Sequence, residues 1–233
     1  MADLPTYGVK RATGPIQIDG HLDEADWQAA ETISLIETET GRVPNQATSV
    51  RALWDDDFLY VGFHCIDASV WSPYVLRNDP LWEQEVVEVF IDDNGDGITY
   101  LEYEINPRNA LVDLYVINRD GNRDTIRFMT EWDSLRLRHT ACVDGDPARN
   151  DTADRSWTVE WAIPWEDFAT APNLPPRDGD TFRANFYRID RDHRPGAHPE
   201  DDEYSAWSPT GAINFHVPKR FGTLVFSTEA VRS

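Results

Sequence analysis

Trp82, Gln84 and Glu88 are the residues of this 233-residue chain whose types and spacing point most directly to chemistry. They lie in Pro80-Leu81-Trp82-Glu83-Gln84-Glu85-Val86-Val87-Glu88-Val89-Phe90-Ile91-Asp92, an aromatic loop running into a strand. Val87, Val89 and Ile91 alternate as β-branched apolar residues, as a strand with one face in a core requires. The opposite face carries Gln84, Val86, Glu88 and Phe90, so Glu88 is a carboxylate between apolar neighbours. A charge there is costly unless it lines a polar concavity or has a partner. Trp82 shares that parity, but six extended residues at about 3.3 Å each would hold it roughly 20 Å from Glu88. The two meet around one small ligand only if the loop Asn78-Asp79-Pro80 curls Trp82 back. The alternative is a rim aromatic and a satisfied structural carboxylate.

The turn that follows, Asp92-Asp93-Asn94-Gly95-Asp96-Gly97, has oxygen side chains at alternating positions and a glycine at the sixth place. That is the first half of a calcium loop. The twelfth position is Tyr103, so the closing carboxylate would come from a strand, with Glu102 preferred over Glu104. The expected calcium ligands are therefore Asp92, Asn94, Asp96 and Glu102. The competing reading is a hairpin turn in which Asn-Gly and Asp-Gly simply favour positive φ. Glu83, Glu85, Glu88, Glu102 and Glu104 also offer carboxylate pairs of the glycosidase kind, in a chain where acids are common enough for chance pairs. No nucleophile motif, phosphate loop or zinc-type Cys/His spacing is present. His193 and His198 read as solvated loop histidines.

The elements that must position these groups read as short strands with turn signals between them, an all-β pattern. Alternating strands are expected at 48–54 and 58–66, joined by Asp55-Asp56-Asp57. Further strands are expected at 85–92, 99–106, 111–118, 134–143, 156–163, 181–190 and 222–227. One short helix is expected at 23–30, its early acids suiting the positive end. The fold class is a two-sheet antiparallel β-sandwich, jelly-roll-like, with one short N-terminal helix. With neither repeat nor linker, residues 1–233 count as one domain. The polar stretch 191–203 reads as a long loop that either borders the binding end or is solvated without a role.

Nine tryptophans and ten phenylalanines are many for such a sandwich. Trp54, Trp157 and Trp161 fall within strand patterns and read as core. Trp71, Trp82, Trp207 and Phe215 fall in loops or at strand ends, where aromatic platforms are found. Sugars suit such platforms, because they combine apolar C–H faces with rings of hydroxyls.

A net charge of −21 argues against a nucleic-acid partner, which needs a basic patch. Two lysines, Lys10 and Lys219, leave nineteen arginines among 21 basic residues, a pattern suited to a salt-adapted, hydrated surface. No apolar run has the length of a membrane helix. The opening residues lack a basic and an apolar signal region. That leaves a cytoplasmic location, or a secreted or periplasmic one if a leader has been removed. Cys65 alternates with Phe63 and Val61 and reads as a buried free thiol.

Taken in order, several elements resemble the family 9 carbohydrate-binding modules and the wider DOMON-like sandwiches. They are Ile18-Asp19-Gly20 with Leu22-Asp23-Glu24 and Trp27, Val50-Arg51-Ala52-Leu53-Trp54-Asp55, and Leu59-Tyr60-Val61-Gly62-Phe63. The set continues with Trp82-Glu83-Gln84, Val87-Glu88-Val89-Phe90-Ile91-Asp92 and Lys219-Arg220-Phe221-Gly222-Thr223-Leu224. The resemblance implies two packed antiparallel sheets, structural calcium, and a mono-, oligo- or polysaccharide held between two aromatic rings without catalysis, in the service of polysaccharide breakdown or uptake. It places Trp82 on one ring position and Phe215 on the other, where the family has tryptophan, and puts Glu88 on a carboxylate that bonds sugar hydroxyls. Gln84 and Asn214 are further candidate contacts, and Glu104 stands where the family has an arginine. Two other functions are carried beside this one. The first is haem-binding electron transfer, with Met129, the histidines and the lysines as axial candidates. The second is glycoside hydrolysis.

Overall fold

The computed structural model describes residues 3–119, 121–151, 153–192, 196 and 198–232. Among these residues fourteen strands are present: β1 Thr6–Arg11, β2 Ile33–Ser34, β3 Ile36–Glu37, β4 Thr48–Trp54, β5 Phe58–Ile66, β6 Val86–Asp92 and β7 Thr99–Ile105, then β8 Leu111–Ile117, β9 Arg127–Met129, β10 Arg138–Asp144, β11 Ser156–Pro164, β12 Thr181–Asp190, β13 Glu203–Ala206 and β14 Gly222–Ala230. Eleven of them follow one hydrogen-bonded path, β10-β11-β5-β4-β1-β14-β12-β6-β7-β8-β9, while β13 pairs with β12 and β3, and β2 with β4. β1 is the seam. It pairs in parallel with β14 through Thr6 to Val9, then with β4 through Lys10 and Arg11. Every other pairing is antiparallel. The expected all-β sandwich is present, made mixed by its first strand.

The inward faces follow the period-two pattern. Val61, Phe63 and Cys65 of β5 and Trp157, Val159 and Trp161 of β11 share one core with Val87, Val89 and Ile91 of β6 and Phe182, Ala184 and Phe186 of β12. Ring contacts join the two halves. Phe63 meets Phe186 at 6.0 Å edge-on, and Trp54 meets Phe226 at 6.0 Å. Trp54, Trp157 and Trp161 are buried as expected, and Trp207 joins the same core against Phe186 instead of serving as a loop platform. Cys65 and Cys142 are both free, and burial pushes the Cys65 thiol up to about 12.

The expected helix shortens to α1, Ala25–Ala29. It and its flanks pack on the outer face of β4, β5 and β11, with Trp27 Nε1 donating to Glu160 Oε1 at 2.9 Å. A Cβ on Gly62 would lie 2.4 Å from Leu22 Cδ2 and 3.3 Å from Trp27 Cη2, so this packing needs a bare backbone there.

The opposite outer face, on β12, β6, β7 and β8, carries a second apolar cluster that includes Val86, Phe90, Tyr100, Val112, Leu114 and Tyr187, with Phe215 and Phe221 packed over it. It is covered incompletely. The uncovered part holds the site.

Candidate functional site

Register brings three carboxylates together on that face. Pairing of β6 with β7 sets Glu88 directly opposite Glu104 and Phe90 opposite Glu102. Directly opposite side chains on one sheet face approach to about 5 Å, and alternate residues of one strand share a face. One oxygen from each of Glu88, Glu102 and Glu104 accordingly lies within 4.8 Å of the others. All three side chains are buried, at 2–3% exposure. They floor a cavity of about 560 Å³.

Above the floor the walls are largely apolar, with Val112 and Leu114 from β8, Ile189 from β12 and Phe215 from the segment before β14. Trp82, 46% exposed, stands at the rim with Phe128 (41% exposed) and Ile213. A 3₁₀ turn over Leu81–Glu83 makes this possible, with Leu81 buried and Glu83 N and Gln84 N bonded back to Pro80 O and Leu81 O. The loop does curl Trp82 back, so Trp82 and Glu88 line one concavity.

Phe215 reaches the cavity, but its ring stacks on Tyr187 at 4.1 Å and 9° and is 8% exposed. It forms a wall, not a free plate opposite Trp82. Asn214 lines the cavity and its Oδ1 accepts from His216 N. Gln84 does not line it, because Trp82 takes the exposed place while Gln84 is half-buried behind the turn. Phe128, Tyr204 and His216 were not anticipated as cavity residues, since they arrive from segments distant in sequence. Of the stretch 191–203, Arg191 lines this cavity, while Asp192, Gly196 and Asp201 to Glu203 line a separate acidic one; His193 lies outside the described residues.

The floor is electrostatically unbalanced. Burial, then Glu104, holds Glu88 well above the usual carboxylate range. Burial followed by both neighbours does the same to Glu102, and burial pushes Glu104 up to about 7. Oε2 of Glu102 and Oε2 of Glu104 receive no hydrogen bond from any other described residue, and the two carboxyls lie close enough to share one between themselves. His216 Nδ1 is 4.0 Å from Glu102 and 2.9 Å from Tyr100 OH, but burial, aided by Arg123, lowers its pKa to about 4. It is neutral at pH 7 and offers no counter-charge.

The acidic turn is satisfied from within. Asp92 accepts from the backbone N–H groups of Gly95, Asp96 and Gly97, Asn94 from Asp96 N, and Asp96 from Ile98 N and Thr99 N. Glu102 is not brought to it. The stacked pair Phe90 and Tyr100, 5.6 Å apart, occupies that stretch of the face, and Glu102 joins Glu88 and Glu104. The four residues expected to share a calcium ion thus do not form one set.

A second buried trio, Asp67, Glu85 and Asp190, surrounds Arg188, which donates to Asp67 Oδ2 at 2.8 Å and lies 2.9 Å from Asp190 Oδ2 and 3.7 Å from Glu85 Oε2. Those last two oxygens lack hydrogen-bond donors, the 2.9 Å approach being off the donor line. Asp190 also lines the acidic cavity of about 650 Å³. Hard oxygen donors with more negative charge than one guanidinium offsets are a chemistry that suits calcium.

A β-sandwich with an aromatic-rimmed, carboxylate-floored concavity on one sheet defines a small-ligand binding domain. The chain matches the family described as carbohydrate family 9 binding domain-like over residues 18–229 and belongs to it. It is 28% identical to an extracellular protein of Arthroderma benhamiae over 206 residues, 86% of each chain. It is also 32% identical to endo-1,4-beta-xylanase A of Thermotoga maritima and 38% identical to that of Thermotoga neapolitana, each over 179 residues, 73% of this chain but 14% of the enzyme. Among solved structures, a Bacteroides uniformis protein superposes with a TM-score of 0.75 at 22% identity, covering 97% of this chain and all of the other. A family 9 carbohydrate binding module of Caldicellulosiruptor kristjanssonii, in complex with cellotriose, gives 0.62 at 19% identity, covering 98% and 95%. Carbohydrate binding is the function that fold and family define.

Proposed function

We propose that this chain is a non-catalytic saccharide-binding domain whose ligand enters the cavity between Trp82 and the Glu88–Glu102–Glu104 floor. The observation carrying this reading is the pairing of an exposed tryptophan with buried, hydrogen-bond-deficient carboxylates in one concavity. A pyranose face packs on Trp82 while its hydroxyls donate to the floor. Glu88, Glu104 and Asn214 are the first polar contacts on this reading. The Caldicellulosiruptor module bound to cellotriose and the matching segment of the endo-1,4-beta-xylanases support a saccharide ligand of the β-1,4-linked kind.

Hydrolysis is disfavoured by the arrangement of the acids. A glycosidase flanks the scissile bond with two carboxyl groups about 5–10 Å apart. Here all three project from one sheet face. Aryl-glycoside turnover is expected to be undetectable. Tryptophan fluorescence tests the binding itself: saccharides that enter should shift emission as Trp82 leaves water. An unresponsive spectrum across hexoses, pentoses and their β-1,4 oligomers would contradict the reading.

A structural calcium ion, on this proposal, is held by Asp67, Glu85 and Asp190 beside Arg188, where it would supply the positive charge the trio still lacks. It would fasten β5 and β12 to the start of β6.

A further inference from the structure

The chain buries two trios of carboxylates and treats them differently. Around Asp67, Glu85 and Asp190 it supplies Arg188, within 3.7 Å of all three. Around Glu88, Glu102 and Glu104 no arginine or lysine among the described residues makes an ion pair or hydrogen bond, and His216 is neutral. Of the rim arginines, Arg191 is held through Nη1 by Asp202 and Tyr204 OH, with its buried Nε unpartnered, and Arg123 acts on His216 from an exposed turn. Uncompensated buried carboxylates are costly. Two of the unpartnered oxygens belong to Glu102 and Glu104, side chains more than nine-tenths buried that border the cavity.

We propose that the ligand brings the missing charge: the cavity takes an amino sugar or its β-linked oligomer, with the primary ammonium seated among Glu88, Glu102 and Glu104. This rests on the saccharide-binding reading above and names the sugar class. A primary ammonium has three N–H donors and no acceptor, matching three carboxylates converging on one point. A sugar carrying it keeps an apolar C–H face for Trp82. A bare divalent cation fits less well, because calcium takes six to eight oxygens. The walls here are Val112, Leu114, Ile189 and Phe215. An N-acetylated sugar offers an amide in place of the charge and loses the match.

The test is titration calorimetry at pH 7 in 150 mM salt and EDTA, comparing glucosamine trimers, their N-acetylated forms and cellotriose. Charge-assisted hydrogen bonds predict the glucosamine trimer roughly tenfold or more tighter than cellotriose. Glu104→Gln, which keeps shape and removes charge, should erase most of that preference. Because the chain carries −21, surface attraction is separated by Trp82→Ala, which should weaken the trimer too. A preference that survives Glu104→Gln and ignores Trp82→Ala overturns the proposal. So does cellotriose binding equal to the glucosamine trimer, or glucan binding restored only by added calcium; both leave the saccharide reading intact. Failure of every sugar to bind overturns both.

Discussion

Glu104 shows at the scale of one residue how function and stability oppose each other. Its pKa is raised from 4.5 to about 7 by burial. A carboxyl raised on folding contributes stability below its ordinary pKa, and that contribution is lost as pH rises through the folded value. Glu88 and Glu102 are raised in the same sense. The unliganded protein should therefore lose stability between about pH 5 and pH 8. Glu104→Gln should melt higher than the wild type at pH 8, by on the order of 1–3 kcal/mol, and depend less on pH. Some dependence remains because Asp190 is also raised to about 7, by burial. Thermal melts at both pH values check this; a variant less stable at pH 8 would show that the glutamate is already compensated.

At the scale of elements, the strands were legible because alternation is local. The site was legible in half. Glu88 betrayed itself as a charge on an apolar face, and Trp82 by its place in a loop. Glu102 and Glu104 needed register. Matched end to end, strands at 85–92 and 99–106 pair Glu88 with Tyr103, which turns Glu104 toward the core; the actual hairpin pairs Glu88 with Glu104. A one-residue slip exchanges the faces, and the six-residue turn 93–98 does not announce which register it sets. Phe128 and His216 were hidden for a plainer reason: nothing near them in sequence says what they face. Gly62 lies on the far outer face, so Gly62→Ala tests independence of the two faces. Its methyl would meet Leu22 at 2.4 Å. Destabilisation of about 1–3 kcal/mol in urea is expected, with sugar affinity unchanged. Altered affinity would mean that packing on the far face reaches the cavity.

For the whole molecule, the question is what offsets so much negative charge. Solvated surface carboxylates need little, but the Asp67–Glu85–Asp190 trio is interior. An ion bound only by the native state stabilises it by about 2.7 kcal/mol at a hundredfold excess over Kd, or several degrees in Tm for a chain of this length. Melting in millimolar calcium against EDTA should show that difference, and Glu85→Gln should remove most of it. Equal melting temperatures would mean Arg188 alone suffices.

The central claim is that a saccharide is bound in the cavity beneath Trp82. It is tested most directly by calorimetric titration of wild type and Trp82→Ala with the sugar that gives the largest fluorescence response. An aromatic platform contributes roughly 1 kcal/mol or more, so Trp82→Ala should weaken binding at least about fivefold while the fold, read by circular dichroism, is unchanged. Binding of equal strength in the two proteins would place the sugar elsewhere and contradict the account.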